Sequence, residues 1–219
     1  MADSHTDERV LTIKLLRHGE SLANTGAMLP HQTGDARIGL SELGRKQARA
    51  AGKAIGPGYL SQAQLYCSPY ERTRETMREV ILGADLPRIP KVYEDPRLRE
   101  VERGYADEAS QHELRKVHGW FYYRHDGGES PADCYDRTSA FLESMMRAAE
   151  RTGQDKFLIV THGMTIRCFV MRFLHLSVEQ FESMANPENC DVVTIGPRSE
   201  VSSPVFETVR WSVSGLRLR

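Results

Sequence analysis

A short, mostly apolar run at residues 10–16 stops abruptly at Arg17, His18 and Gly19. A run that short, apolar on both sides, reads as a β-strand buried between helices, because a strand with one wet face alternates polar and apolar residues. Its end sets a guanidinium beside an imidazole at a sheet edge, and Gly19 lets the chain turn away. That pairing suits an oxyanion, most often phosphate. A His18 that merely caps the strand end is the alternative, which these residues alone leave open.

The rest of the chain repeats the alternation of strand and helix. Residues 1–8 read as a loose tail. Residues 21–40 form a long loop rich in Gly, Asn, Thr, Pro and His, and a stretch that long inside a compact domain is usually functional. Ser41 starts a helix expected to carry Leu43, Gln47, Ala51 and Ile55 on one face, and Gly56-Pro57-Gly58 ends it. A second strand follows at residues 64–67. Ser68, Pro69 and Glu71 spell a helix start, with Ser68 as cap and Glu71 completing a capping box. Thr73, Met77, Val80 and Ile81 give that helix its core stripe.

Residues 91–93 suggest a third strand and residues 97–104 a charged loop. A helix is expected over 108–123, ending in the aromatic cluster Trp120 to Tyr123, with Gly127-Gly128 breaking it. Ser130-Pro131-Ala132-Asp133 repeats the capping pattern ahead of a helix to about residue 151. A buried strand at 157–160 runs into Thr161-His162-Gly163, a second His-Gly turn, and then a helix bearing Ile166, Phe169, Val170, Phe173 and Leu174. Ser177 opens a short last helix, and residues 192–195 and 205–211 read as closing strands. The pattern predicts an α/β fold, a three-layer α/β/α sandwich with a mostly parallel central sheet. One domain is expected over residues 1–219, with a small cap-like excursion at about 105–130.

A hydrophobic fraction of 40% in 219 residues supports one sizeable core. The net charge of −1 argues against a general nucleic-acid or membrane surface, so an anion site has to come from locally placed arginines. Cys67, Cys134, Cys168 and Cys190 form no CxxC pair and sit in or beside apolar runs. Reduced, mostly buried thiols are expected rather than disulfides or metal ligands. No run approaches the roughly 18 apolar residues of a membrane span, and the first residues lack an apolar signal region. A cytoplasmic protein is the expectation.

In an open α/β sheet, ligands bind at the carboxyl ends of the strands. Three segments deliver polar groups there: Arg17-His18, then Arg72 in the first turn of its helix, then His162-Gly163. Gly163 opens a helix, so its N–H is expected to face an anion with the helix dipole behind it. Two arginines, two histidines and a helix N-terminus suit a phosphoryl group carrying about two negative charges.

These residues, in this order, resemble the histidine phosphatase superfamily, with its phosphoglycerate-mutase-like fold. The matching stretches are Arg17-His18-Gly19-Glu20-Ser21 with Asn24, and Leu40-Ser41 with Gly44 and Gln47-Ala48. They continue with Ser68-Pro69, Arg72, Arg74 and Thr76, with Leu98-Arg99-Glu100 and Gly104, with Gly128-Glu129-Ser130, and with Thr161-His162-Gly163. Together they span about residues 10–195. Phe121-Tyr122-Tyr123-Arg124 and Ser177-Val178-Glu179-Gln180-Phe181 look closest to mutase-like proteins of plants and fungi, which offer no single agreed substrate.

The resemblance implies a metal-independent phosphomonoester hydrolase without a cofactor, working through a phosphohistidine on His18. The attacking nitrogen of His18 must be neutral, with the other ring nitrogen donating to a backbone carbonyl. Arg17, Arg72 and His162 would hold the equatorial oxygens, and Asn24 would add a neutral donor. Glu100 matches the proton donor; Glu102, Asp107 and Glu108 lie nearby and stay open as alternatives. No metal is needed where arginines supply the charge. The implied partner is a small phosphorylated substrate, and an exposed edge strand or the aromatic cluster leaves a homodimer open.

A phosphoglycerate-mutase-type transferase would use the same residues but keep water from the phosphoenzyme; the compact excursion and short tail favour hydrolysis. A non-catalytic protein that binds a phosphate ligand is disfavoured by the intact set of polar groups. Arg37, Arg97 and Arg99 either meet a second anionic group or are simply solvated. His31, His112, His118, His125 and His175 lack ligand-like spacing. The chain departs from the family after Gly104, where Tyr105-Ala106-Asp107 replaces a Trp-Glu-Gly type stretch.

Overall fold

The computed structural model describes residues 10–104 and 108–219. The expected N-terminal tail and the departure at residues 105–107, with its candidate acid Asp107, lie outside the described residues, as does the side chain of Glu108. In chain order the elements are β1 (Thr12–Arg17), α1 (Pro30–Thr33), α2 (Glu42–Ile55), α3 (Pro57–Leu60), β2 (Gln64–Cys67), α4 (Glu71–Gly83) and β3 (Val92–Glu94). Then come α5 (Glu108–His118), α6 (Pro131–Thr152), β4 (Lys156–Thr161), α7 (Gly163–Leu174), α8 (Val178–Ser183), β5 (Val192–Pro197), β6 (Phe206–Glu207) and β7 (Trp211–Ser214).

Seven strands form one sheet in the order β3-β2-β4-β1-β5-β7-β6. The half from β3 to β1 is parallel, and β5, β7 and β6 extend it antiparallel. The strand side chains divide between two cores. Ile13, Leu15, Phe157 and Ile159 face one with Phe141, Met145, Ile166 and Phe169 from α6 and α7. Leu16, Leu65, Cys67, Leu158 and Val160 face the other with Ala48, Met77 and Val80 from α2 and α4. Helices on both faces explain why β1 and β4 are apolar on both sides, and each fully buried side chain of this size contributes about 1.5–3 kcal/mol.

Local chemistry sets the helix starts. Ser41 accepts from the Gly44 N–H at 3.0 Å. Ser130 with Asp133, and Ser177 with Gln180, form full capping boxes, which satisfy N–H groups that the first helical turn leaves open.

Four expectations are corrected. First, the buried row of α2 is Gly44, Ala48 and Gly52, one residue on from the predicted face, while Leu43 is exposed. Gly44 packs on the Glu20 carbonyl and Gly52 on that of Val80, and a Cβ at either would overlap the facing carbonyl. Close backbone approach outweighed apolar periodicity. Second, Ser68 does not cap α4; the helix begins at Glu71 after Tyr70, without a side-chain cap. Third, α5 ends at His118, and Gly119, at φ 78°, turns the chain before the aromatic cluster. Phe121 then packs edge-on against Phe181, ring centroids 5.1 Å apart. Fourth, residues 205–211 hold a hairpin rather than one strand, with the Trp211 N–H donating to Thr208 Oγ1 at 2.9 Å across the turn.

All four cysteines are free thiols, and Cys67, Cys134 and Cys168 are buried. No helix among the described residues is long and apolar enough to cross a membrane.

Candidate active site

The parallel strands align their ends. Arg17 is in register with Thr161, and the His18 N–H donates to the Thr161 carbonyl at 3.0 Å. One strand further on, the Ser68 N–H donates to the Val160 carbonyl at 3.0 Å. The backbone ladder thus brings Arg17-His18, His162 and Ser68 to one edge of the sheet, and Arg72 follows one turn into α4.

His18 is 4% exposed. Its Nδ1 lies 2.8 Å from the Gly19 carbonyl, an acceptor, so Nδ1 carries the proton and Nε2 presents a lone pair. Burial foremost, then the positive charges of Arg72 and Arg17, hold this imidazole well below the usual histidine range and keep it neutral. His162 is fully buried, with its ring centroid 5.2 Å from that of His18. Its Nε2 meets Ser68 Oγ at 2.8 Å, and its Nδ1 has no hydrogen-bond partner among the described residues. Burial, then the charge of Arg72, keeps His162 neutral too.

Arg17 donates from Nη1 to the Pro187 carbonyl at 2.6 Å. Burial is the main cause lowering its pKa from the usual arginine range. Arg72 is buried, with the Tyr70 ring 4.9 Å from its guanidinium carbon. Its Nη1 and Nη2 donate to the Asp35 carboxylate at 2.8 and 3.0 Å. Asn24 lines the cavity and accepts at Oδ1 from the Ser21 N–H and hydroxyl, both at 3.1 Å, so Oδ1 is engaged within the loop root.

Glu100 reaches the site because its segment is held from both sides. The Thr161 and Thr165 hydroxyls donate to the carbonyls of Leu98 and Arg99 at 2.6 and 2.7 Å. Glu129 receives Arg99 and, in a bidentate pair, Arg137. The Glu100 carboxylate itself accepts from the Val101 N–H at 3.0 Å and the Met164 N–H at 3.4 Å. The amide offered by the first turn of α7 therefore meets a carboxylate of the protein. Gly163 packs on the Asn186 side chain, and neither it nor the fully buried His162 is among the residues that line the cavity beside His18.

A cavity of about 270 Å³ is lined by His18, Arg17, Asn24, Asp35, Arg72 and Glu100, among others. A hollow of about 720 Å³ elsewhere, walled by residues such as Val10, Met146 and Trp211, is larger but has no histidine and a single arginine, Arg210, in its wall. Chemistry, not size, marks the site. Glu102 and Arg103 line the same cavity. Arg97 is taken by Asp95 and the Ala140 carbonyl, and Arg37 is exposed outside the cavity wall. The guanidiniums of Arg167 and Arg219 stand over the Trp120 ring at 4.6 and 4.7 Å from its centroid, and Trp120 is not among the residues lining the cavity beside His18.

Three contributors escaped the sequence reading. Ser68 reads from the sequence as a helix cap, and its position directly after a strand is the signal that places it at the site. Asn189 donates to the His18 carbonyl at 3.0 Å and lies 3.4 Å from Asn24 Oδ1. It stands in a polar turn just before β5, with nothing local to single it out. Asp35 lies in the long loop, where no local pattern singles it out.

A family model described as histidine phosphatase superfamily (branch 1) matches residues 13–209. The phosphoglycerate mutase-like protein AT74H of Arabidopsis thaliana is 37% identical over 229 residues, covering 92% of this chain and 82% of its own. The broad-range acid phosphatase DET1 of Saccharomyces cerevisiae is 32% identical over 132 residues, covering 56% of this chain and 40% of its own. Among solved structures, a mycobacterial glucosyl-3-phosphoglycerate phosphatase complexed with VO3 shares the fold at a TM-score of 0.70. It is 22% identical, and the match covers 94% of this chain and 98% of that one.

Proposed function

The chain belongs to the histidine phosphatase superfamily, branch 1, and on that premise we propose that it hydrolyses a small phosphomonoester through a phosphohistidine on His18. The observation that carries this is the state of His18: buried, held neutral, its Nδ1 proton engaged by Gly19 and its Nε2 lone pair free to attack. Attack of Nε2 on phosphorus forms the N–P bond and breaks the bond to the leaving oxygen, which takes a proton from Glu100. Water then attacks phosphorus, Glu100 recovers a proton, and His18 departs as a neutral imidazole. Arg17 and Arg72 offset the charge that moves with the phosphoryl group. Ser68 Oγ also lies 3.4 Å from the Tyr70 N–H, which it accepts. Its own proton is then free for His162 Nε2, leaving the His162 proton on Nδ1 as a further donor to the phosphoryl oxygens.

The names of the yeast and mycobacterial relatives support hydrolysis over phosphoglycerate-mutase-type transfer, which would use the same first step. Incubation with a panel of phosphomonoesters, including 3-phosphoglycerate, tests the choice. The expected result is phosphate release with a transient acid-labile phosphoenzyme, both lost in His18→Ala. Isomer interconversion faster than phosphate release would overturn hydrolysis; no turnover and no phosphoenzyme would overturn both readings.

A further inference from the structure

Asp35 stands where a phosphoryl group is expected to go. Both its carboxylate oxygens and its carbonyl accept from the terminal nitrogens of Arg72, at 2.8, 3.0 and 2.8 Å. Three of the five N–H donors of that guanidinium are thereby taken. Asp35 also lines the cavity that holds His18. A phosphoryl group at Arg72 either claims the same nitrogens or takes the remaining edge with its negative charge a few ångströms from a carboxylate. Both outcomes set phosphate against Asp35.

The loop that carries Asp35 is built to let go. Its root is firm: Ser21 and Leu40 bridge, the Leu22 N–H donates to the Gly39 carbonyl at 3.0 Å, and the Leu40 N–H donates to Glu75 at 2.7 Å. Ile38 at the root is fully buried. Between these anchors none of residues 22–37 is buried. Gly26 and Gly34 adopt φ of 74° and 84° with open space around them, positions where a left-handed backbone bends freely. Asp35 ties the far half of this loop to α4 by charge. Apolar packing, which would hold it regardless of the ligand, is missing from its body.

We propose that Asp35 is an affinity-determining residue of this site: its carboxylate rivals the phosphoryl group for Arg72, so that phosphate binding and docking of the 22–37 loop oppose each other. This rests on Arg72 being a phosphoryl ligand, as in the hydrolase reading. The coupling is reciprocal, so bound phosphate loosens the loop as strongly as the docked loop weakens phosphate. A protein that is binding-competent about one tenth of the time shows about tenfold weaker apparent affinity.

Two measurements on the full chain test it, with inorganic phosphate as the probe. By calorimetry, Asp35→Asn and Asp35→Ala are expected to bind phosphate about fivefold to tenfold more tightly than the wild type. In the wild type, saturating phosphate is expected to speed amide hydrogen exchange across residues 30–37. Unchanged or weaker phosphate binding in both variants would mean that Asp35 orients Arg72 rather than competing for it, and would overturn the proposal. So would loop exchange that stays constant or slows. If the wild type hydrolyses phosphomonoesters through His18 while these results fail, the rivalry alone falls. If neither wild type nor variants bind phosphate, the Arg72 site falls with it.

Discussion

The two His-Gly turns end neighbouring parallel strands, yet they offer their imidazoles in opposite senses. At β1, Gly19 supplies the carbonyl that holds Nδ1 of His18. At β4, Ser68, just past the end of β2, holds Nε2 of His162 and leaves Nδ1 unpartnered among the described residues. The chain beyond differs as well. After His18 it enters a long exposed loop, whereas after His162 it passes directly into α7, one of the most deeply buried helices. On the proposed mechanism, the same turn yields a nucleophile beside an exposed loop at β1 and a phosphoryl-oxygen donor rooted in the core at β4. A ring nitrogen's partner, not the residue name, sets its role.

That contrast breaks most visibly in covalent chemistry. If the roles differ as argued, His18→Ala removes the phosphoenzyme entirely, with turnover falling on the order of 10⁵-fold or more. His162→Gln should slow turnover about 10²- to 10³-fold, the range for loss of one oxyanion donor, while still accumulating a phosphoenzyme. Rapid acid quench with labelled substrate separates the two variants. A phosphoenzyme that persists in the first or disappears in the second would reverse the assignment.

A smaller effect concerns how the first turn is supported. A Cβ on Gly19 would stand 2.5 Å from the Gly44 carbonyl, and one on Gly44 would overlap the Glu20 carbonyl. Gly163 meets only the flexible side chain of Asn186, at 3.1 Å. Gly44→Ala is therefore expected to lose about 2–3 kcal/mol of stability, as overpacking against rigid backbone does. Gly163→Ala should lose clearly less. Urea denaturation of both variants measures the difference, and equal losses would sink the distinction between the turns.

The smallest effect is shared by both turns. Burial and Arg72 keep His18 and His162 neutral in the folded protein well below pH 6.5. Unfolded histidines take up protons below about pH 6.5. From there downward the unfolded state binds more protons, so stability falls as pH falls. The slope is at most about 1.4 kcal/mol per pH unit for each histidine. Denaturation at several pH values should show that slope shrink in His162→Gln.

Much of the fold was legible because it rests on local signals. Two-sided apolar runs named the central strands, and Ser130 with Asp133 announced α6. The errors fall where a distant partner outweighed a local cue. Ser68 looked like a helix cap until His162, far along the chain, claimed its hydroxyl. Leu43 fitted an apolar stripe, but the Glu20 and Val80 carbonyls selected the glycine row beside it. Trp120 to Tyr123 continued an apolar helix face, but Gly119 turned the chain and Phe181 packed against it.

By itself the sequence determined the strand-helix alternation, the two His-Gly turns and the arginines that accompany them, because hydrophobic period and turn chemistry are written within a few residues. Only the tertiary structure decided which nitrogen each histidine presents, that Met164 rather than Gly163 meets a carboxylate, and that Asp35 occupies Arg72. Those outcomes depend on hydrogen bonds between residues far apart in sequence, whose geometry exists only once the strand ends are aligned.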